Sequence, residues 1–203
     1  MKKIGAIANI RTGFQIREAV RHINDGSHRL IQVRDFDELG ILHQDDCIRF
    51  HPYSSGPVET RNIKALERQL VTVGDVLFLA KGTRCFAWAM TEEMPNTLVA
   101  GFFLVLQVKR RAVQPEYLAW WLNQPRTQTE LERRRMGTHI RTVRKSELGD
   151  LEVEIPPLEV QKRISRLSQL RLREMVLSRR LAAERARLVE AVCLKAATRN
   201  EED

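Results

Sequence analysis

From Glu159 to about Ala197 the chain runs without a glycine or a proline, directly after the pair Pro156-Pro157. No other feature restricts the fold as much. At 1.5 Å per residue such a stretch makes a helix about 58 Å long. Leu167, Leu170, Leu177, Leu181 and Leu188 follow a 3-4 spacing that Ala191 continues, and Glu174 and Glu184 occupy two positions of the same stripe. That is a heptad seam with polar interruptions, which set register and partner choice. A single helix of this length cannot bury its stripe against a domain only a few turns across, so it needs a partner helix. The prolines cannot donate to a strand ladder and they keep the chain extended, so they end the strand before them and fix the helix entry. Glu159 suits the first turn, where the helix dipole favours an acid. The expected organisation is an α+β (mixed α/β) domain over residues 1–157, one long C-terminal coiled-coil helix over 158–198, and a disordered tail over 199–203.

The first part has the means to fold. Hydrophobic residues make up 43% of the chain, enough for a core. Arg29–Phe36 alternates like a strand with a charged rim, and Val76–Ala80 reads as a buried strand entered through Gly74-Asp75 and left through Lys81-Gly82-Thr83. Thr97–Val108 is rich in β-branched and aromatic residues and reads as one buried strand. Arg11–Phe14 reads as a turn, and His51–Pro57 as a loop. Pro115 with Glu116 opens a helix whose core face is Tyr117, Leu118, Trp121 and Leu122. Pro125 interrupts it, and a second helical stretch runs to about Arg135. The segment from Met136 to Leu148 is basic and turn-rich, and Leu151–Ile155 alternates as a last strand.

Net charge is +8 and it is unevenly placed. Lys109–Lys145 holds ten Lys/Arg against three Glu, and residues 159–203 hold eleven against seven, which leaves the rest of the chain net acidic. A concentrated basic block points to a polyanion, nucleic acid before any other. The start lacks the apolar run of a signal peptide, and Leu98–Leu106 is too short to span a bilayer, so a cytoplasmic location with no membrane partner is expected. Cys47, Cys85 and Cys193 are odd in number and far apart, which suits buried reduced thiols better than disulfides or a metal site.

Catalytic signatures are absent: there is no GxGxxG, no P-loop, no GxSxG, and no zinc-ligand spacing among the five histidines. Asp75 with Lys81 could be read as the acid-plus-lysine pattern of a metal-dependent nuclease, yet Asp75 after Gly74 is more simply a turn residue. The basic groups carry the chemistry. Arg133–Arg135 abuts Gly137-Thr138-His139, then Arg141, Arg144 and Lys145. Small residues let backbone approach phosphate, hydroxyls and amides bind it, and Arg reads guanine bidentately. Lys81-Gly82-Thr83-Arg84 repeats this grammar after a strand, and Arg11-Thr12-Gly13-Phe14 repeats it more weakly. The candidate DNA contacts are Arg11, Thr12, Phe14, Arg34, Ser54, Ser55, Lys81, Thr83, Arg84, Thr138, His139, Arg141 and Arg144.

Several stretches together resemble one known family. They are IGAIANIRTGF, IQVRDFDELG, LVTVGDVLFLAKGT, VAGFFLVLQVK and PEYLAWWLNQPRTQTEL. The run Gly137, Thr138, Ile140, Val143, Leu148, Leu151, Ile155, Pro156, Pro157, Leu158, Glu159, Gln161 and Ile164 closes the series. In this order they resemble the specificity (S) subunit of type I DNA restriction–modification enzymes, in a half-sized form with one target-recognition domain. The resemblance implies a non-catalytic subunit that reads one half of a split duplex DNA target. It implies docking to methyltransferase (M) subunits, which bind S-adenosylmethionine, so that no cofactor is expected in this chain. A motor-nuclease (R) subunit joins where restriction accompanies methylation. The usual member has two recognition domains and two long helices, whereas this chain has one of each and opens as the family does. It is therefore expected to be a complete half that homodimerises through Leu167, Leu170, Leu177, Leu181, Leu188 and Ala191. Two other readings stay open: a protein-interaction adaptor of a DNA-modifying complex, and a small metal-dependent nuclease.

Overall fold

The computed structural model describes residues 1–16, 20–52, 60–109, 113–137 and 139–199, the side chains of 60–63 and 198–199 aside. The chain divides into two compact units, Met1–Arg163 and Ile164–Asp203. In the first, β1 (Lys2–Lys3) and α1 (Ile4–Ile7) lead into β2 (Ala8–Thr12), followed by β3 (His28–Ile31), β4 (Ile48–Phe50) and α2 (Thr60–Glu67). Next come β5 (Asp75–Leu79), β6 (Phe86–Ala89), β7 (Thr97–Val99) and β8 (Phe103–Val108), then α3 (Pro115–Leu122), α4 (Pro125–Arg134) and α5 (Lys145–Gly149). β9 (Glu152–Val153) and α6 (Leu158–Arg199) finish the described chain. The class is α+β with a long C-terminal helix, as the sequence predicts.

An antiparallel sheet takes the order β2-β8-β5-β6. A second sheet, β4-β3-β7, pairs β3 antiparallel to β4 and parallel to β7. β1 pairs with β9, so the first residues close against the last strand. Period-two alternation sorts the second sheet's side chains to two faces. Ile31 and Val99 join Leu77, Leu79, Phe36, Phe86 and Phe103 in one cluster. Leu30 and Leu98 join Ile48, Phe50 and Leu66 in the other. Each such side chain contributes about 1.5–3 kcal/mol on burial.

Several local expectations are corrected. The strand expected over Arg29–Phe36 stops at Ile31, and Val33–Asp35 forms a 3-10 turn. Gln32 N–H donates to Asp35 Oδ2 at 2.7 Å, and the Gln32 side chain accepts from the Asp35 backbone. That reciprocal cap outcompetes the ladder that the alternation suggested. Thr97–Val108 is two strands in two sheets, broken by a turn at Ala100–Phe102. Arg11 and Thr12 belong to β2, and Gly13 serves close packing: a Cβ there would meet the Ala100 carbonyl oxygen at 2.4 Å and that of Val99 at 2.6 Å. The last strand shortens to Glu152–Val153, and the basic segment contains α5. Of the expected α3 core face, Tyr117, Leu118 and Leu122 are buried, while Trp121 is only half-buried. Asp75 closes the turn that enters β5, as expected: its N–H donates to Thr72 O and its carboxylate accepts from Thr72 N–H, each at 3.0 Å.

Both prolines lead into a fastened helix start. Gln161, fully buried, accepts from Gln114 N–H at 2.9 Å and donates to the Pro156 carbonyl at 2.7 Å. The Tyr117 hydroxyl donates to Glu154 O at 2.7 Å. In the second unit, α6 carries the leucine stripe uncovered: Leu167 is 67% exposed and Leu188 64%, with Leu170, Leu177, Leu181 and Ala191 also exposed. Cys193 is exposed too, against the expectation of buried thiols, whereas Cys47 is buried and its thiol is pushed up to about 12 by that burial. Among the described residues no helix is long and apolar enough to cross a membrane.

Candidate nucleic-acid interface

The basic loops meet because backbone hydrogen bonds stitch them to one another. Val143 N–H donates to Ala80 O at 2.9 Å and Gly82 N–H donates to Arg141 O at 3.2 Å. Lys81 and Met136 each bridge to Thr142. The segment after β5 therefore lies beside the segment after α4. Ala80 and Lys81 N–H groups both donate to Phe102 O, at 3.0 and 3.3 Å, which adds the turn between β7 and β8. Phe14 N–H donates to Val99 O at 2.7 Å and Ala100 N–H to Ile31 O at 2.9 Å, which brings in the ends of β2 and β3. Gly137 turns the chain within Met136–Thr142 at φ 109°, a left-handed value that disfavours other residues.

The three consecutive arginines have three different roles. Arg135 is buried, its side chain 2% exposed. It donates to the carbonyls of Thr83 and Arg141 at 3.2 Å each, also to that of Gly82, and pairs with Glu132 at 2.8 Å. One guanidinium thus locks two basic loops together through charge-assisted bonds to their carbonyls. Arg134 is half-buried and pairs with Glu130 and, at 3.9 Å, with Glu147. Arg133 is exposed and has no ion-pair partner among the described residues. Glu132 also pairs with Arg141, and the bond from Arg135, then the charges of Arg135 and Arg141, hold its carboxyl below the usual range.

Two clefts open on this surface. One, about 670 Å³, is lined by Arg34, Lys81, Thr83, Arg84 and Phe102 among others. The other, about 620 Å³, is lined by Thr83, Arg84, Arg133 and Arg141 with Gln128. They share Thr83 and Arg84, so the basic lining is continuous between them. Lys81 and Arg144 have no side-chain partner among the described residues, and Arg34 is exposed, 3.8 Å from Asp35.

The remaining sequence candidates divide. Thr12, Thr83 and His139 are exposed. Arg141 is exposed but held by Glu132. Arg84 is exposed, yet its guanidinium donates to the carbonyls of Asp37 and Glu38 at 2.8 and 3.0 Å and lies 5.0 Å from the Phe86 ring centre. Arg11 turns inward: it is half-buried and donates to Leu70 O at 2.8 Å and Gln69 Oε1 at 3.2 Å. Phe14 packs on the second core cluster, its ring 6.3 Å from that of Phe50. Ser54, Ser55 and Thr138 lie outside the described residues. Sequence reading passed over Phe102, Gln15 and the latch role of Arg135. An aromatic next to Phe103 in an apolar run carries no sign of exposure until the strand is known to break there. Among the described residues, no group of three or more His, Cys, Asp or Glu could hold a metal.

No protein-family model matches this chain, and no curated protein matches it. Among solved structures it is similar to the crystal structure of a type I restriction–modification system S subunit from M. genitalium, with a TM-score of 0.53 and 14% sequence identity. The match covers 83% of this chain and 37% of that one, so the chain corresponds to well under half of the neighbour's length. At this identity the likeness is one of fold.

Proposed function

We propose that this chain is a half-sized specificity subunit of a type I restriction–modification system, reading one half of a bipartite duplex DNA target and recruiting methyltransferase subunits without catalysing a step itself. The observation that carries the reading is the stitched loop surface. Lys81 and Arg133, cations without partners among the described residues, line two abutting clefts on a fold shared with an S subunit, and Arg144, likewise without a side-chain partner among them, follows in the same stitched segment. Free Lys and Arg bind phosphate, and loops on a fixed scaffold can hold base-reading groups in register. The exposed leucine stripe of α6 supports a second element of the proposal, pairing of two copies about a two-fold axis. Two such chains would read identical half-sites, and the target would be an interrupted palindrome.

Mapping methylated adenines in a host that expresses the chain with its methyltransferase subunit tests this directly. A palindromic bipartite motif is the expected result. An asymmetric motif would replace the homodimer by pairing with a different specificity half. No chain-dependent methylation, together with no duplex binding at low salt, would favour the adaptor reading instead. Cleavage by the pure protein with magnesium would revive the nuclease reading. Asp75, its acidic candidate, is buried and caps the turn at Thr72.

A further inference from the structure

Of the seven phenylalanines in the sequence, Phe102 is the exposed one, at 47%, while Phe36, Phe50, Phe78, Phe86 and Phe103 are buried and Phe14 is half-buried. Isolated exposed apolar residues are common on surfaces and mean little by themselves. This one differs in three respects. Its backbone is fixed: Phe102 O accepts from Ala80 and Lys81 N–H, and Phe103 N–H donates to Ala100 O at 3.0 Å. It stands in the 670 Å³ cleft with Arg34, Lys81 and Arg84, so its surroundings are cationic. And an exposed amide accompanies it, because the Gln15 side chain lies where a Cβ on Gly101 would come within 2.4 Å of its Nε2.

An aromatic group held rigidly among cations and an amide suits the major groove of duplex DNA. Arg and Lys reach phosphates and guanine, Gln reaches adenine, and an apolar group meets the one apolar substituent there, the thymine 5-methyl. We propose that Phe102 is a base-reading residue that contacts a thymine methyl group, an apolar contact that the hydrogen-bonding side chains of this cleft do not make. The inference rests on the proposed DNA-reading function and names one specificity determinant within it. Cationic surroundings favour a polyanion over an apolar protein surface, whose centre would be expected to exclude Lys81.

The test uses the chain in complex with its methyltransferase subunit and a pool of randomised duplexes, sequenced after selection. Wild type should enrich a bipartite motif, and F102A should keep that motif while losing preference at a T·A pair. Replacing the selected thymine by deoxyuridine removes only the methyl group. That exchange should weaken wild-type binding about fourfold, the factor expected for one buried methyl, and leave F102A unchanged. F102L, still apolar, should retain part of the preference. Equal melting temperatures would show that the variants fold, as expected for an exposed site. An unchanged motif in F102A would overturn the inference while leaving the DNA-reading function intact. Loss of methyltransferase binding with an unchanged motif would overturn it in favour of a protein contact. If wild type enriches no motif, the functional reading fails first, and this inference with it.

Discussion

The stitched loops of the first unit and the α6 helix of the second are both rich in arginine, yet they use it in opposite ways. Around the clefts, arginine is partly consumed by the fold: Arg135 by three carbonyls and Glu132, Arg84 by two carbonyls, Arg11 by Gln69 and Leu70. From Gln169 to Ala197 along α6 every residue but Met175 is exposed, apolar and basic alike, and ion pairs such as Arg187 with Glu184 at 2.9 Å are local to the helix. A basic residue is therefore informative only once its partners are known. A cation with no internal acceptor is available to a ligand, whereas one that bridges loops builds the surface on which the ligand sits.

The largest expected effect breaks the α6 side of the comparison. Leu177→Glu and Leu181→Glu place charges on the exposed stripe. If two copies pair through that stripe, each change acts twice, and loss of two buried leucines costs about 3–6 kcal/mol of association, at least 100-fold in Kd. Sedimentation should show monomers, while the melting transition of the first unit stays in place. A wild-type protein that is already monomeric at micromolar concentration would remove the pairing.

Next in size is the latch. Arg135→Ala removes the guanidinium bonds to the Gly82, Thr83 and Arg141 carbonyls and leaves a void, at a cost of about 2–4 kcal/mol. For a chain of this size that lowers the melting temperature by roughly 5–15 °C. Arg133→Ala, two residues away and exposed, should change stability by less than about 0.5 kcal/mol. Equal melting temperatures for the two variants would mean that Arg135 is not the brace it looks to be.

That pair of neighbours shows what the sequence makes legible. The Gly- and Pro-free stretch announces α6, and Pro115 and Pro125 announce α3 and α4, because those signals are local. The class of fold follows from them and from the apolar runs. The break at Ala100–Phe102 is not legible, since it depends on which sheet each half joins. Nor does the RRR run disclose which arginine is buried, because the carbonyls of Gly82 and Thr83 that recruit Arg135 lie about fifty residues earlier in the chain. The candidate surface was legible as chemistry, in the basic loops around Lys81 and Arg144. Which side chains are free to act on it required the partners.

A smaller effect sharpens the loop side. Arg144→Ala and Lys81→Ala remove cations that no described residue pairs. If they meet phosphate, each should lower the slope of log affinity against log salt by about one, with the preferred sequence unchanged. Arg11→Ala, whose guanidinium faces Gln69 and Leu70, should instead lower stability and leave the slope alone. A reversed result would mean that Arg11 reaches DNA after all.

The smallest effect is one of pH. Glu132 has its carboxyl lowered from the ordinary value of 4.5, first by the hydrogen bond from Arg135 and then by the charges of Arg135 and Arg141. A carboxyl lowered in the folded state stabilises it above the ordinary value, and the stabilisation is lost as pH falls through the lowered one. Asp150 beside Lys3 and Glu159 beside Lys162 are lowered in the same sense, so wild type should lose stability over the acid range from several sites at once. Glu132→Gln isolates one of them. Its neutral amide can still accept from Arg135, but it no longer titrates, and the variant's melting temperature should converge on wild type as pH falls from 6 to 3. Because Glu132 is half-exposed, water screens the pair and the gap at pH 6 should be small. A gap that widens with acid would reverse the sign of the linkage and would place the carboxylate's cost, rather than its benefit, in the folded state.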